Sequence, residues 1–283
     1  MKNPDGQIVS FHKITETKRI LICHYAVNLL KSQNHFLAIS FPKILAAKCL
    51  ILVVAMVYPH TPEQFYDSIS KDYSDFVTRC VPWYKEMLSI LFAYLPSKYS
   101  PQSILELGCG TGNLTHLLFK HFPQSQIQAV DISEECIKEC KRRLPSASIQ
   151  YIKLDFRDLD FPANSFDFII SSIAIHHLDD KEKEEIFKKL FSWQAPKGIL
   201  TFCDQFRGET DHLYEHHMET WKAFAFNQGA TDKEWNTWME HQTQHDHHAS
   251  LLEHMNWLRN AGYSIVDCTW RYLLWAAIYA EKA

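Results

Sequence analysis

The chain has 283 residues, 46% of them hydrophobic and 13% aromatic, enough apolar mass for one sizeable core with an appendage and too little for two large domains. Its 29 Lys and Arg against 33 Asp and Glu give a formal charge of -4, with no long run of either sign. Nucleic-acid binding draws on clustered basic residues, so this balance argues against such a partner and makes a small-molecule substrate the default.

The first residues put Asp5 and Gly6 where a signal peptide would begin its apolar run. The apolar stretch 36–58 is cut by Pro42, Lys43 and Lys48. Its uninterrupted part, Cys49 to Tyr58, is about half of the roughly 20 residues that a membrane span needs. A packed or interfacial helix is therefore expected there, and no membrane partner. Residues 1–60 read as an N-terminal extension. Met56 stands just before the regular pattern begins, which adds a third reading beside a packed or a spanning helix: residues 1–55 as a poorly ordered extension or as a segment foreign to the natural product. The eight cysteines are scattered, with no disulfide or zinc spacing, which suits a reducing, cytoplasmic setting. Cys136 and Cys140 share a helix face and read as half-buried thiols.

From residue 61 helical and strand signals alternate. Thr61-Pro62 opens a helix, with Thr as N-cap and Pro in the first turn. A second helix is expected over Pro82 to Tyr94. Ser103 to Leu107 is a short apolar run stopped by glycines, a buried strand. Asn113 to His121 carries Leu114, Leu117, Leu118 and Phe119 at helical spacing. Ile127 to Val130 is a strand and Ser133 to Arg143 a helix capped by Ser133. Ile149 to Leu154 and Phe166 to Ser171 are strands, Asp179 to Trp193 an amphipathic helix, and Gly198 to Cys203 a fifth strand. Ser250 to Asn260 reads as a helix closed by Gly262. Tyr263 to Trp270 and Tyr272 to Ala280 read as two strands joined tightly at Arg271. Near-continuous apolar strands alternating with helices predict a parallel sheet covered on both faces, ending in an antiparallel pair.

The chemistry gathers at strand ends. Gly108-x-Gly110-x-Gly112 follows a strand and opens a helix, and glycines there let the backbone turn and lie against a ligand. Glu106 sits inside the strand end and can organise the loop. Asp131, nineteen residues past Gly112, ends the second strand, where a carboxylate can accept both hydroxyls of a ribose. A helix-capping role for it is less attractive because Ser133 already fills that place. Asp155 or the Phe156 backbone suits an adenine amino group, with Phe156 flanking the ring. Against this, Asp158 and Asp160 show that Asp is common in that loop. Ser172 and the pair His176-His177 follow the fourth strand, on the carboxyl edge where α/β ligands bind.

These residues resemble those of class I S-adenosylmethionine (SAM)-dependent methyltransferases over about Phe65 to Lys282. The resemblance implies an α/β fold, a Rossmann-like doubly wound seven-stranded sheet, parallel with an antiparallel C-terminal strand. It also implies N-terminal helices and a helical cap insert over about 208–249 within a domain spanning 61–283. It implies SAM as cofactor and S-adenosylhomocysteine (SAH) as product. Tyr66-Asp67-x-Ile69, Arg79 to Tyr84, Leu258-x-x-Ala261-Gly262-Tyr263 and Trp270-Arg271-Tyr272 are similar to the carboxy-SAM synthase group, a tRNA-modification family. By that likeness Tyr84 meets the carboxylate end of the cofactor, and Gly108, Cys109, Gly110, Asp131, Ile132, Asp155, Phe156 and Ser172 complete the pocket. Two departures stand out. The stretch Trp221 to Asn227, where that group carries an Arg, has Lys222 as its sole cation, and the loop reads Glu-Leu-Gly-Cys-Gly rather than Asp-Leu-Gly-Cys-Ser. Plain SAM and a small-molecule acceptor are therefore expected. Carboxy-SAM synthesis or tRNA modification is the first alternative, and a non-catalytic SAM- or SAH-binding module the second.

The insert is rich in histidine: His212, His216, His217, His241, His245, His247 and His248, interleaved with Trp221, Trp235 and Trp238. His241, His245 and Asp246 suit a transition metal. A solvated helix face explains them as well and is preferred, so no metal is assigned. The tryptophans are expected to pack a lid onto the core. Methyl transfer needs a nucleophile in line about 3 Å from the methyl carbon, and a base only if that nucleophile is protonated. His176, His177 and His217 are the candidates. A homodimer is left open.

Overall fold

The computed structural model describes residues 61–145 and 148–283. The extension, the apolar stretch 36–58 and Met56 lie outside them. Three helices lead in: α1 (Pro62–Ile69), α2 (Tyr73–Cys80) and α3 (Tyr84–Ala93). The core then alternates β1 (Ser103–Leu107), α4 (Asn113–His121), β2 (Gln126–Asp131), α5 (Glu134–Arg143), β3 (Ile149–Lys153), β4 (Phe166–Ser172), α6 (Asp180–Trp193) and β5 (Gln194–Gln205). After β5 come α7 (Asp211–Asn227), α8 (Asp232–His245), α9 (Leu251–Ala261), β6 (Ile265–Tyr272) and β7 (Trp275–Glu281).

The seven strands lie in the order β3-β2-β1-β4-β5-β7-β6. Pairings among β1 to β5 are parallel. Strand β7 inserts antiparallel between β5 and β6. The switch point falls between β1 and β4, whose carboxyl ends carry the glycine loop and the His176-His177 turn.

Alternation along each strand splits the core into two layers. Ile104, Phe168 and Ile170 face α3, α4 and α5, while Leu105, Leu107 and Ile169 face α6 and α9. Capping chemistry fixes several helix starts. Thr61, Asp179, Thr231 and Ser250 each form a reciprocal capping box with the third residue of the helix that follows. Gly262 closes α9 with φ at 118°.

The insert is helical, as expected, and consists of α7 and α8. Trp221 is fully buried and its indole N–H donates to the Cys80 carbonyl at 2.9 Å, while its ring meets Trp235 and Trp275 edge-on. The tryptophans therefore do pack the insert onto the core.

Three local expectations need correction. Helix α3 begins at Tyr84 rather than Pro82, because Trp83 takes a left-handed φ of 56°. The last hairpin turns at Leu273, φ 53°, rather than at Arg271, which lies inside β6. Cys136 and Cys140 are fully rather than half buried, and the six described cysteines are all free. Among the described residues no helix is long and apolar enough to cross a membrane.

Candidate functional site

The glycine loop is shaped by what surrounds it. Gly108 has φ 70°, and a Cβ there would stand 2.4 Å from the Ala174 Cβ. Gly112 has φ 91°, and its Cβ would meet the Cys140 sulfur at 2.6 Å. The loop therefore sits tightly between the β4 turn and α5, a closeness only glycine permits. Asp131 ties it to β2. One carboxylate oxygen accepts the Gly110 N–H at 2.7 Å and the other accepts the Ser133 N–H at 2.8 Å. Burial pushes the Asp131 pKa up to about 6, against the lowering effect of those N–H donors.

A cavity opens at this edge of the sheet. Among its described lining residues are Tyr84, Gly108, Cys109, Gly110, Asp131, Ile132, Asp155, Phe156, Ser172 and His177, ten of the residues expected from the sequence. The Tyr84 hydroxyl accepts from the Asn113 amide at 3.1 Å. Asp155 is held by Arg157 at 2.6 Å; burial alone would raise its pKa, but Arg157 keeps it below the usual value. Spacing alone does not single out Tyr73, Asn113 or Gln244, which also line the cavity.

Four expected residues do not face it. Glu106 is fully buried under α4 and α5 with both carboxylate oxygens lacking a hydrogen-bond partner, and burial pushes its pKa well up. Gly112 is a packing position against α5 rather than a cavity wall. His217 lies on α7, where burial and Arg271 lower its pKa. His176 is buried behind His177, its Nδ1 2.6 Å from Asp204 Oδ1.

Behind His177 the chain assembles a histidine–aspartate cluster. His176 and His177 come from the turn after β4, Asp204 from the end of β5, and His241, Asp246 and His248 from the end of α8 and the segment beyond it. Asp246 lies 3.1 Å from His177 Nδ1, 3.6 Å from His176 Nε2, 3.7 Å from His248 Nε2 and 3.8 Å from His241 Nε2. The expected solvated face is thus corrected: the side chains of His241 and Asp246 are each 2% exposed. Burial lowers the pKa of His177 and His248, and takes that of His241 down to about 3. His176 is the exception: burial opposes its charge, but Asp204 and Asp246 raise its pKa. Burial would raise the Asp246 pKa, yet the facing imidazoles hold it well below the usual range. The segment is clamped in place. The His247 N–H donates to the His176 carbonyl at 2.7 Å, and the buried Lys183 ammonium donates to the His247 carbonyl. Asp204 follows the same strand-end rule that picks out Asp131, which is the signal that could have found it.

Residues 104–198 match a family model described as a methyltransferase domain. The chain is 34% identical over 125 residues to the malonyl-[acyl-carrier protein] O-methyltransferase of Halalkalibacterium halodurans, covering 43% of this chain and 44% of that protein. It is 23% identical over 223 residues to the carboxy-S-adenosyl-L-methionine synthase of Campylobacter hominis, covering 77% of this chain and 94% of that one. Among solved structures, the human N-acetylserotonin methyltransferase in complex with SAM superposes with a TM-score of 0.52 at 16% identity, covering 79% of this chain and 60% of that one. A SAM-dependent methyltransferase of Thermotoga maritima gives 0.54 at 17% identity, covering 77% and 99%. At these identities the structural likeness speaks for the fold. Sheet order, glycine loop and matched segment agree: the chain has the fold of class I SAM-dependent methyltransferases, and its residues 104–198 match a methyltransferase domain.

Proposed function

We propose that the protein binds SAM in this cavity and transfers its methyl group to a small-molecule nucleophile approaching from the His177 side. The observation that carries this reading is the junction of Asp131 with the glycine loop. The carboxylate is buried at the cavity wall and held by two backbone N–H groups, and it has lone pairs left for the ribose hydroxyls. Asp155 and Phe156 stand at the end of β3, where adenine would lie. Tyr84 and Ser172 stand where the methionine portion would lie.

The chemistry asks little more of the protein. The sulfonium leaves as a neutral thioether, so catalysis is chiefly placement of the acceptor in line and exclusion of water. His177, whose Nε2 lies 3.0 Å from the Tyr66 hydroxyl, borders the acceptor side of the cavity.

The longer match to carboxy-SAM synthase supports a second reading, in which the cofactor carries an extra carboxylate. That group needs a cation. Lys222, the sole cation in the segment 221–227, is exposed and its ammonium lies over the Phe226 ring. Arg157, which does line the cavity, is engaged by Asp155 and Glu182. Plain SAM is therefore preferred. The test is methyl transfer from radiolabelled SAM into a fractionated metabolite pool, with mass spectrometry of the copurified ligand. Label in a small-molecule fraction supports the proposal. A ligand carrying the mass of an added carboxylate, with no labelled product, refutes it in favour of the second reading.

A further inference from the structure

We propose that His176, His177 and Asp246 form the ligand set of a binding site for one divalent transition-metal ion, with His241 and His248 beside it, set directly behind the acceptor side of the cofactor cavity. Ligand atoms of His176, His177 and Asp246 lie within 4.8 Å of one another. Ligands held at about 2.0–2.2 Å from a zinc-like ion stand roughly 3–4 Å apart. The four Asp246–imidazole separations, 3.1, 3.6, 3.7 and 3.8 Å, fall in that interval.

The same separations are poor for hydrogen bonding. Three of the four exceed hydrogen-bond length. In the fourth, His177 Nδ1 and Asp246 Oδ1 are both buried and neither has a hydrogen-bond partner. His248 Nε2 and both ring nitrogens of His241 are likewise buried without one. A buried carboxylate and several imidazoles with converging unshared lone pairs are costly unless a cation sits among them. Among the described residues, no Lys or Arg pairs with Asp246.

The outer contacts orient the rings as a metal site requires. His176 Nδ1 is held by the Asp204 carboxylate at 2.6 Å, which fixes the proton on Nδ1 and leaves Nε2 as a donor toward the centre. His177 Nε2 is held by the Tyr66 hydroxyl at 3.0 Å, and His248 Nδ1 by the Tyr214 hydroxyl at 2.6 Å. Thus three of the four imidazoles are anchored through the nitrogen that points away from Asp246. Imidazole with a single carboxylate selects zinc, iron, cobalt or nickel over magnesium or calcium. His177 also lines the cofactor cavity, so the ion would border the acceptor space. On the methyl-transfer reading, on which this role alone rests, it would select acceptors with a coordinating hydroxyl or thiol and ease loss of their proton.

The test uses full-length protein without an affinity tag, stripped with chelator, loaded with Co(II) and desalted. About one Co(II) per chain should be retained, with visible absorption bands of a nitrogen- and oxygen-ligated ion. Asp246→Asn and His177→Gln should each reduce retention by roughly tenfold or more, while His212→Gln, exposed on α7, should not. Circular dichroism checks that each variant is folded. Wild-type protein that binds SAM yet retains neither Co(II) nor Zn(II) would overturn the proposal, as would a folded Asp246→Asn variant that holds the metal like wild type. Metal retention without SAM affinity would count against the cofactor reading and leave the metal site standing.

Discussion

Asp131 carries three duties at one position: it ends β2, fixes the glycine loop through the Gly110 N–H, and faces the cavity. Removing it should therefore cost both ligand contacts and loop order. Two charge-assisted hydrogen bonds to ribose at about 1.5–3 kcal/mol each predict that Asp131→Ala weakens SAM binding by roughly a hundredfold or more. Calorimetric affinity within a few-fold of wild type would refute the ribose assignment. The raised pKa adds a pH test. Its carboxylate form, the better acceptor for ribose hydroxyls, is lost as pH falls through about 6, so affinity should decline between pH 7 and 5. Stability moves the other way for this group. A carboxyl whose folded pKa lies above its ordinary 3.8 destabilises the fold at high pH, and that penalty shrinks as pH falls through 6 toward 3.8. A fall in affinity with the melting temperature maintained would thus point to the site rather than to unfolding.

At the scale of elements, the strand–loop–helix unit from β1 to α4 depends on close approach to α5. Gly112 and Gly229 both take left-handed φ values, 91° and 84°, but only Gly112 would place a Cβ against a neighbour. Alanine at Gly229 should cost about 1 kcal/mol from backbone conformation alone. Alanine at Gly112 should cost roughly 1–3 kcal/mol more, because Cys140 and the α5 backbone must shift. Chemical denaturation of the two variants measures the difference, and equal losses would contradict the packing account. These elements were largely legible in the sequence. Asn113–His121 falls at its expected bounds, Ser133 caps α5 as expected, and Asp179, expected as the first residue of α6, is its N-cap. What was not legible lacked a local chemical signal. The hairpin turns through Leu273 at positive φ, where no Gly, Asn or Asp marks it. Helix α2 has no side-chain cap at Asp72 and only Val77 and Cys80 buried, so neither a start signal nor a broad apolar stripe announces it.

Over the whole molecule, strand order decides what sequence spacing cannot. The cavity wall was readable because it lies on successive strand ends, each within a few residues of a glycine or carboxylate. The histidine cluster was not readable, because its members are spread from 176 to 248 and meet only where β4 and β5 lie side by side and the insert returns over them. His217, one of the three histidines expected as a candidate base, falls on α7 and does not line the cavity, whereas Asp204 gains its place from the β4–β5 pairing. One binding event is central to the proposed function: the capture of SAM at the glycine loop and Asp131. Titration calorimetry of the intact chain with SAM and with SAH tests it most directly. Saturable binding of both at about one per chain, weakened strongly by Asp131→Ala, is the predicted result. Folded protein with no measurable heat or affinity for either compound would contradict it.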